Sequence, residues 1–80
     1  MTLRIKLFGP EAAAAGTREA AVSPAAATCA AARQALAEKY PALAPLLPNC
    51  RFAVNHDFVE LDAAVRESDE IALIGMVSGG

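Results

Sequence analysis

Only one stretch of this 80-residue chain can form a long helix, and that restriction shapes everything around it. Residues 28–40 lie between Ser23-Pro24 and Pro41. Proline cannot continue a helix, because it lacks a backbone donor and its ring clashes with the preceding turn. Within the stretch, Cys29, Ala32, Leu36 and Tyr40 recur at spacings of three, four and four and so share one face. Thr28 stands where an N-cap is needed. Arg33, Glu38 and Lys39 fall away from the centre of the apolar face.

The remaining segments have strand length. Leu3, Ile5 and Leu7 alternate with Arg4, Lys6 and Phe8, the period of a half-buried strand, and Gly9-Pro10 ends it. Residues 11–16 are alanine-rich and fit either a short helical turn or a loop. Residues 17–22 are compatible with a second strand, antiparallel to the first. Residues 41–49 hold three prolines and three leucines, an ordered loop whose leucines pack beneath the sheet. Residues 51–54 read as a third strand with Phe52 and Val54 on one face. Asn55-His56-Asp57 supplies turn chemistry, and Phe58, Val59 and Leu61 form a short fourth strand or a strand-like return. Residues 62–69 are polar, with Ser68-Asp69 suited to a turn, and residues 70–74 form the last strand. Residues 75–80 make a flexible tail with no means of packing itself.

One main helix laid across one face of a mixed four- or five-stranded sheet is the α+β arrangement called the β-grasp, or ubiquitin-like, fold. A ferredoxin-like fold needs a second long helix, and residues 62–69 are too few and too polar to supply it. The expected organisation is one domain over 1–74 followed by the tail, 75–80. The core is modest. A chain of this size buries only about 60% of its unfolded surface, and twenty alanines inflate the 55% hydrophobic content.

Several function classes find no support. Seven basic and nine acidic residues give a net charge of −2 without a basic block, which argues against nucleic acid. No apolar run is long enough for a membrane span, and the alternating N-terminus does not read as a signal peptide; the chain reads as cytoplasmic. His56 has no cysteine or acidic partner at ligand spacing and reads as a solvated turn residue, so no metal site is expected. Cys29 and Cys50 read as reduced, small hydrophobes, with nothing nearby to lower their pKa. Asp69-Glu70 reads as a solvated turn.

The chain ends differently, in Val77-Ser78-Gly79-Gly80 directly after an apolar strand. Without Cβ atoms, Gly79-Gly80 can enter channels closed to other residues. A carboxylate on Gly80 is a poor electrophile until ATP converts it to an acyl-adenylate, and a slim tail lets another enzyme reach it.

Arg51-Phe52-Ala53-Val54-Asn55, then Asp69-Glu70-Ile71-Ala72-Leu73-Ile74 and Val77-Ser78-Gly79-Gly80, resemble the small subunit of molybdopterin synthase. Leu7-Phe8-Gly9-Pro10 and Tyr40-Pro41-Ala42-Leu43 are similar to that family too, so the resemblance runs over nearly the whole chain. Two departures stand out. Gly75-Met76 occupies the place where the family usually carries two prolines, which loses stiffness at the root of the tail. Ala32 stands where a leucine is common.

The resemblance implies a sulfur carrier that is no enzyme on its own, but the sulfur-donor subunit of a sulfurtransferase complex. An E1-like adenylating enzyme, holding ATP and Mg²⁺, activates Gly80; this chain itself binds no cofactor. A sulfur donor of cysteine desulfurase or rhodanese type then makes the thiocarboxylate. Met76, Val77, Ser78 and Gly79 thread the partner's channel, and sulfur passes to a pyranopterin precursor in the large subunit of a heterotetramer. Periodicity adds a docking surface. If Leu3, Ile5 and Leu7 face the helix, Phe8 faces out; Ile74 likewise; and Phe58 joins them at an edge. The alternatives are a carrier for thiazole (thiamine) synthesis or another sulfur-transfer pathway, a ubiquitin-like modifier whose Gly80 joins a lysine, or a plain interaction module.

Overall fold

A computed structural model describes residues 1–76. In chain order the elements are β1 (Leu3–Lys6), α1 (Gly9–Ala15), β2 (Glu19–Val22), α2 (Cys29–Lys39), a 3₁₀ segment (Pro41–Asn49), β3 (Cys50–Val54), β4 (Asp57–Val59) and β5 (Ile71–Gly75). The five strands form one sheet in the order β2-β1-β5-β3-β4. The central β1–β5 pair is parallel and the other three pairs are antiparallel. This is the expected β-grasp.

The alternation in β1 does what its period demands. Leu3 and Ile5 are fully buried, and Arg4 and Lys6 are exposed. The alanine-rich stretch resolves as helix. Pro10 sits in the first turn of α1, where a missing N–H costs nothing. Gly16 closes α1 in the left-handed conformation (φ 73°), its N–H donating to the Ala12 carbonyl at 2.9 Å.

Helix α2 starts at Thr28, whose Oγ1 accepts from the Ala31 N–H at 3.2 Å. Its next donors are met from outside the helix. The N–H groups of Cys29 and Ala30 donate to the carbonyls of Ala63 and Leu61, at 3.0 and 2.8 Å. First-turn amides have no intrahelical acceptor, so this loop replaces the water that would otherwise satisfy them. Cys29, Ala32 and Leu36 are buried on the sheet, and Tyr40 is half-buried at the end of the same face. Lys39 donates to the Ala21 carbonyl at 2.6 Å, tying the end of α2 to edge strand β2.

Three differences from the sequence reading have physical reasons. Residues 41–49 are continuous 3₁₀ turns with Leu43 and Leu47 buried; proline's fixed φ suits such turns. The polar stretch 62–69 hides a core residue, Val65, which is 2% exposed and held by its N–H bond to the Ala27 carbonyl. The last strand runs through Gly75, paired with Cys50, and the Met76 N–H donates to the Asn49 carbonyl at 2.8 Å. The root of the expected tail is therefore part of the sheet. Val77, Ser78, Gly79 and Gly80 lie outside the described residues.

Candidate functional site: the end of the central strand and the outer sheet face

β5 lies in the middle of the sheet, between β1 and β3, so the chain leaves the domain from its most constrained strand. Inward, Ile71 and Leu73 are 1% exposed. Outward, Ala72 and Ile74 are half-buried on the face opposite the helix. Pairing then builds that outer face. Lys6 stands beside Ala72, Ala72 beside Ala53, and Ala53 beside Phe58; Ile74 stands beside Arg51.

Two of the three expected docking residues are thereby brought to one face. Phe58 is 50% exposed, and Ile74 lies across β3 from it, two residues along β5 from Ala72, with which Phe58 is level. Between them lies a cation that the sequence reading did not include. The Arg51 guanidinium sits 4.7 Å from the centroid of the Phe58 ring, within reach of the ring's negative face. Phe8, 52% exposed, follows β1 in extended backbone (φ −136°, ψ 157°) as the N-cap of α1. Continuing the β1–β5 register by two residues brings it level with Ile74. The face is thus mixed, with aromatic and aliphatic groups set among Arg4, Lys6 and Arg51. Arg4 and Lys6 are paired with Glu19 and Glu70 at 3.4 and 3.5 Å, exposed contacts worth little to stability.

Of the side chains with nucleophilic or ligand chemistry, Cys50 pairs with Gly75 at the end of β5, Cys29 lies on α2 and His56 in the β3–β4 turn. Burial pushes the Cys29 thiol up, and the charge of Asp69 adds to it. Burial likewise raises the Cys50 thiol. The Glu11 charge raises it further, Arg33 opposes, and hydrogen bonding with Glu11 adds a final push. Neither thiol is poised as a thiolate. His56 sits in the β3–β4 turn with its side chain 80% exposed, 3.5 Å from a Glu70 oxygen. Asn55 and His56 both have positive φ (53° and 73°), the geometry of a two-residue type I′ hairpin. Asp69 is a structural acceptor. The Arg66 backbone N–H, donating at 2.8 Å, and the Asn55 amide, at 3.2 Å, hold its carboxyl below the ordinary value. Among the described residues no group of His, Cys, Asp or Glu is arranged to hold a metal, and no helix is long and apolar enough to cross a membrane.

The sequence reading also missed Glu11, a buried acid at the root of the tail. Its carboxyl faces Gly75, so closely that a Cβ at position 75 would lie 2.7 Å from Oε1. A single acid in an alanine run carries no periodic signal, and its partner is distant in sequence.

A central strand of a β-grasp sheet running out toward a Gly-Gly sequence defines a class, the small ubiquitin-like carriers. The model of the ThiS family matches residues 5–80, and the chain belongs to that family of ubiquitin-like sulfur carriers. No curated protein matches it by sequence. Among solved structures it is similar to small archaeal modifier protein 1 (SAMP1) of Haloferax volcanii, at 30% identity over 100% of both chains with a TM-score of 0.83. A chain of the protein–protein complex of subunits 1 and 2 of the molybdopterin-converting factor of Helicobacter pylori gives 26% identity over 100% of both chains and a TM-score of 0.70. A putative molybdopterin converting factor subunit 1 of Pyrococcus furiosus shares the fold, with a TM-score of 0.83 at 16% identity, covering 96% of this chain and 99% of that one.

Proposed function

We propose that this chain is the sulfur-donor small subunit of a molybdopterin synthase and works through the carboxylate of Gly80. The observation that carries this reading is the combination of family membership over residues 5–80 with Val77-Ser78-Gly79-Gly80 following the central strand. An E1-like enzyme using ATP and Mg²⁺ converts the Gly80 carboxylate to an acyl-adenylate with release of pyrophosphate. The terminal sulfur of a persulfide on a desulfurase or rhodanese-type donor displaces AMP to give an acyl disulfide. A thiol reductant then attacks the donor's sulfur, breaking the S–S bond to leave the thiocarboxylate on Gly80 and a disulfide on the donor. The loaded tail enters the large subunit, where its sulfur passes to the pyranopterin precursor. The raised thiols of Cys29 and Cys50 support this assignment of the sulfur to the terminal carbonyl, since neither side chain is activated to carry it. The outer face with Phe8, Ile74, Arg51 and Phe58 is the docking surface for the large subunit, the relevant relative being the H. pylori two-subunit complex.

A second reading has its own support, the 30% identity to a small archaeal modifier protein. In that reading Gly80 ends on a lysine amine of another protein. Reconstitution separates the two. The loaded chain, a molybdopterin synthase large subunit and the pyranopterin precursor should yield molybdopterin. Higher-mass isopeptide conjugates without molybdopterin would favour the modifier.

A further inference from the structure

Glu11 is the one charged side chain among the described buried residues, at 7% exposure. It sits in the first turn of α1 and points at the end of β5. A Cβ on residue 75 would lie 2.7 and 2.8 Å from its two carboxyl oxygens, a distance that real Cβ atoms do not reach. Gly75 is an ordinary strand residue paired with Cys50, without an unusual backbone, and the Glu11 carboxyl lies where a Cβ would stand. A side chain at position 75 would displace the end of the Glu11 side chain from where it lies.

Among the described residues the carboxyl pairs with no cation. The ion pairs among the described residues join Arg4 to Glu19, and Lys6 and His56 to Glu70. Its polar neighbour is the Cys50 thiol, which itself donates to the Leu46 carbonyl at 3.2 Å. Burying a carboxylate without a counter-charge costs free energy, and the partner the described fold gives it is a thiol, a weak donor. Glu11 also lines an open depression with Pro10, Leu46, Asn49, Gly75 and Met76, at the point where the chain departs toward Gly80. Apolar walls around one acid suit a long basic side chain, whose methylenes lie along the walls while its head meets the charge.

We propose that this depression receives an arginine or lysine side chain of the adenylating enzyme, which pairs with Glu11 as the tail enters that enzyme's active site. The inference rests on the carrier reading. It concerns adenylation because every route through Gly80, carrier or modifier, begins with that step. Glu11 is a recognition residue, and Gly75 is the strand residue it lies against.

The test follows pyrophosphate release by the adenylating enzyme encoded in the same genome, with ATP saturating and the full chain varied. Glu11→Gln keeps the size of the side chain and removes its charge. It should raise KM about 10-fold or more and leave kcat nearly unchanged, as expected for a binding contact that is lost uniformly. Added salt should raise the wild-type KM more steeply than that of the variant. Glu11→Ala suits the alanine run of α1 and should show the same KM shift, yet unfold at no lower temperature than the wild type. A folded Glu11→Gln or Glu11→Ala chain with wild-type KM overturns the proposal. So does a Glu11→Ala chain that unfolds far more easily, because Glu11 is then structural. If the wild type itself releases no pyrophosphate, the carrier reading has failed and the proposal falls with it.

Discussion

The two ends of β5 are built in opposite ways. At its start, Asn55, Asp69 and Glu70 form a closed set. The Asn55 N–H donates to the Glu70 carbonyl at 2.8 Å, the Glu70 N–H donates to Asn55 Oδ1 at 3.0 Å, and the Asn55 amide reaches Asp69. At its end, the pairing of Gly75 with Cys50 and a backbone bond from Met76 to Asn49 hold the chain, and a buried carboxyl faces Gly75 without a cation among the described residues. Polar groups that satisfy one another stabilise a hairpin and fix its register. A buried acid whose partner is a thiol, a weak donor, and which meets no cation among the described residues adds little of either. The difference puts stability at one end of the strand and, on our proposal, recognition at the other.

The contrast can be broken most severely by removing what both ends stand on. Leu36 is fully buried where α2 meets the sheet. Leu36→Ala should cost about 2–5 kcal/mol, read as a lower urea midpoint, and should impair sulfur loading only through the unfolded fraction. A smaller effect is expected for Phe8→Asp, which acts at the tail end alone. It should weaken binding of the large subunit by about 2 kcal/mol, as loss of an aromatic anchor does. Stability should hold, because Phe8 is the N-cap of α1 and aspartate is favoured there. Titration calorimetry with thermal melts checks both halves of that statement.

At the other end, Asn55→Gly keeps the positive φ of the turn and deletes the side-chain bonds to Glu70 and Asp69. It should cost about 1 kcal/mol of stability and leave loading kinetics unchanged; slowed loading in the folded variant would blur the division drawn here. The smallest effect belongs to Asp69→Asn. The folded carboxyl lies below its ordinary value of 3.8, chiefly through the Arg66 backbone N–H and then the Asn55 amide. Its contribution is therefore present above the unfolded value and is lost as pH falls through the lower folded value. Wild type and variant should differ in urea midpoint at neutral pH and converge in acid. A constant gap across that range would contradict the assignment.

Sequence patterns carried the fold because most of it is written locally. The period of two in Leu3-Ile5-Leu7, the shared face of Cys29, Ala32 and Leu36, the cap at Thr28 and the Asn55-His56 turn each need only near neighbours. The misses are of another kind. Val65 is a single apolar residue in a polar run, and no periodicity marks it. Gly75 carries no side chain to signal a strand. Arg51 between Ile74 and Phe58, and Glu11 against Gly75, come from pairing and packing across the fold, and no local pattern encodes such contacts. The docking role of Phe8, Phe58 and Ile74 stays a proposal, as does the role of Gly80, which lies outside the described residues.

The central claim is that the transferred sulfur resides on the Gly80 carbonyl. Intact-mass measurement after incubation with the adenylating enzyme, ATP and a sulfur donor tests it most directly. The wild type and a variant with both Cys29 and Cys50 changed to serine should each gain the mass difference of one oxygen replaced by sulfur, and a chain lacking Gly80 should gain nothing. A folded chain lacking Gly80 that still acquires the sulfur, or a folded serine variant that does not, would contradict the account.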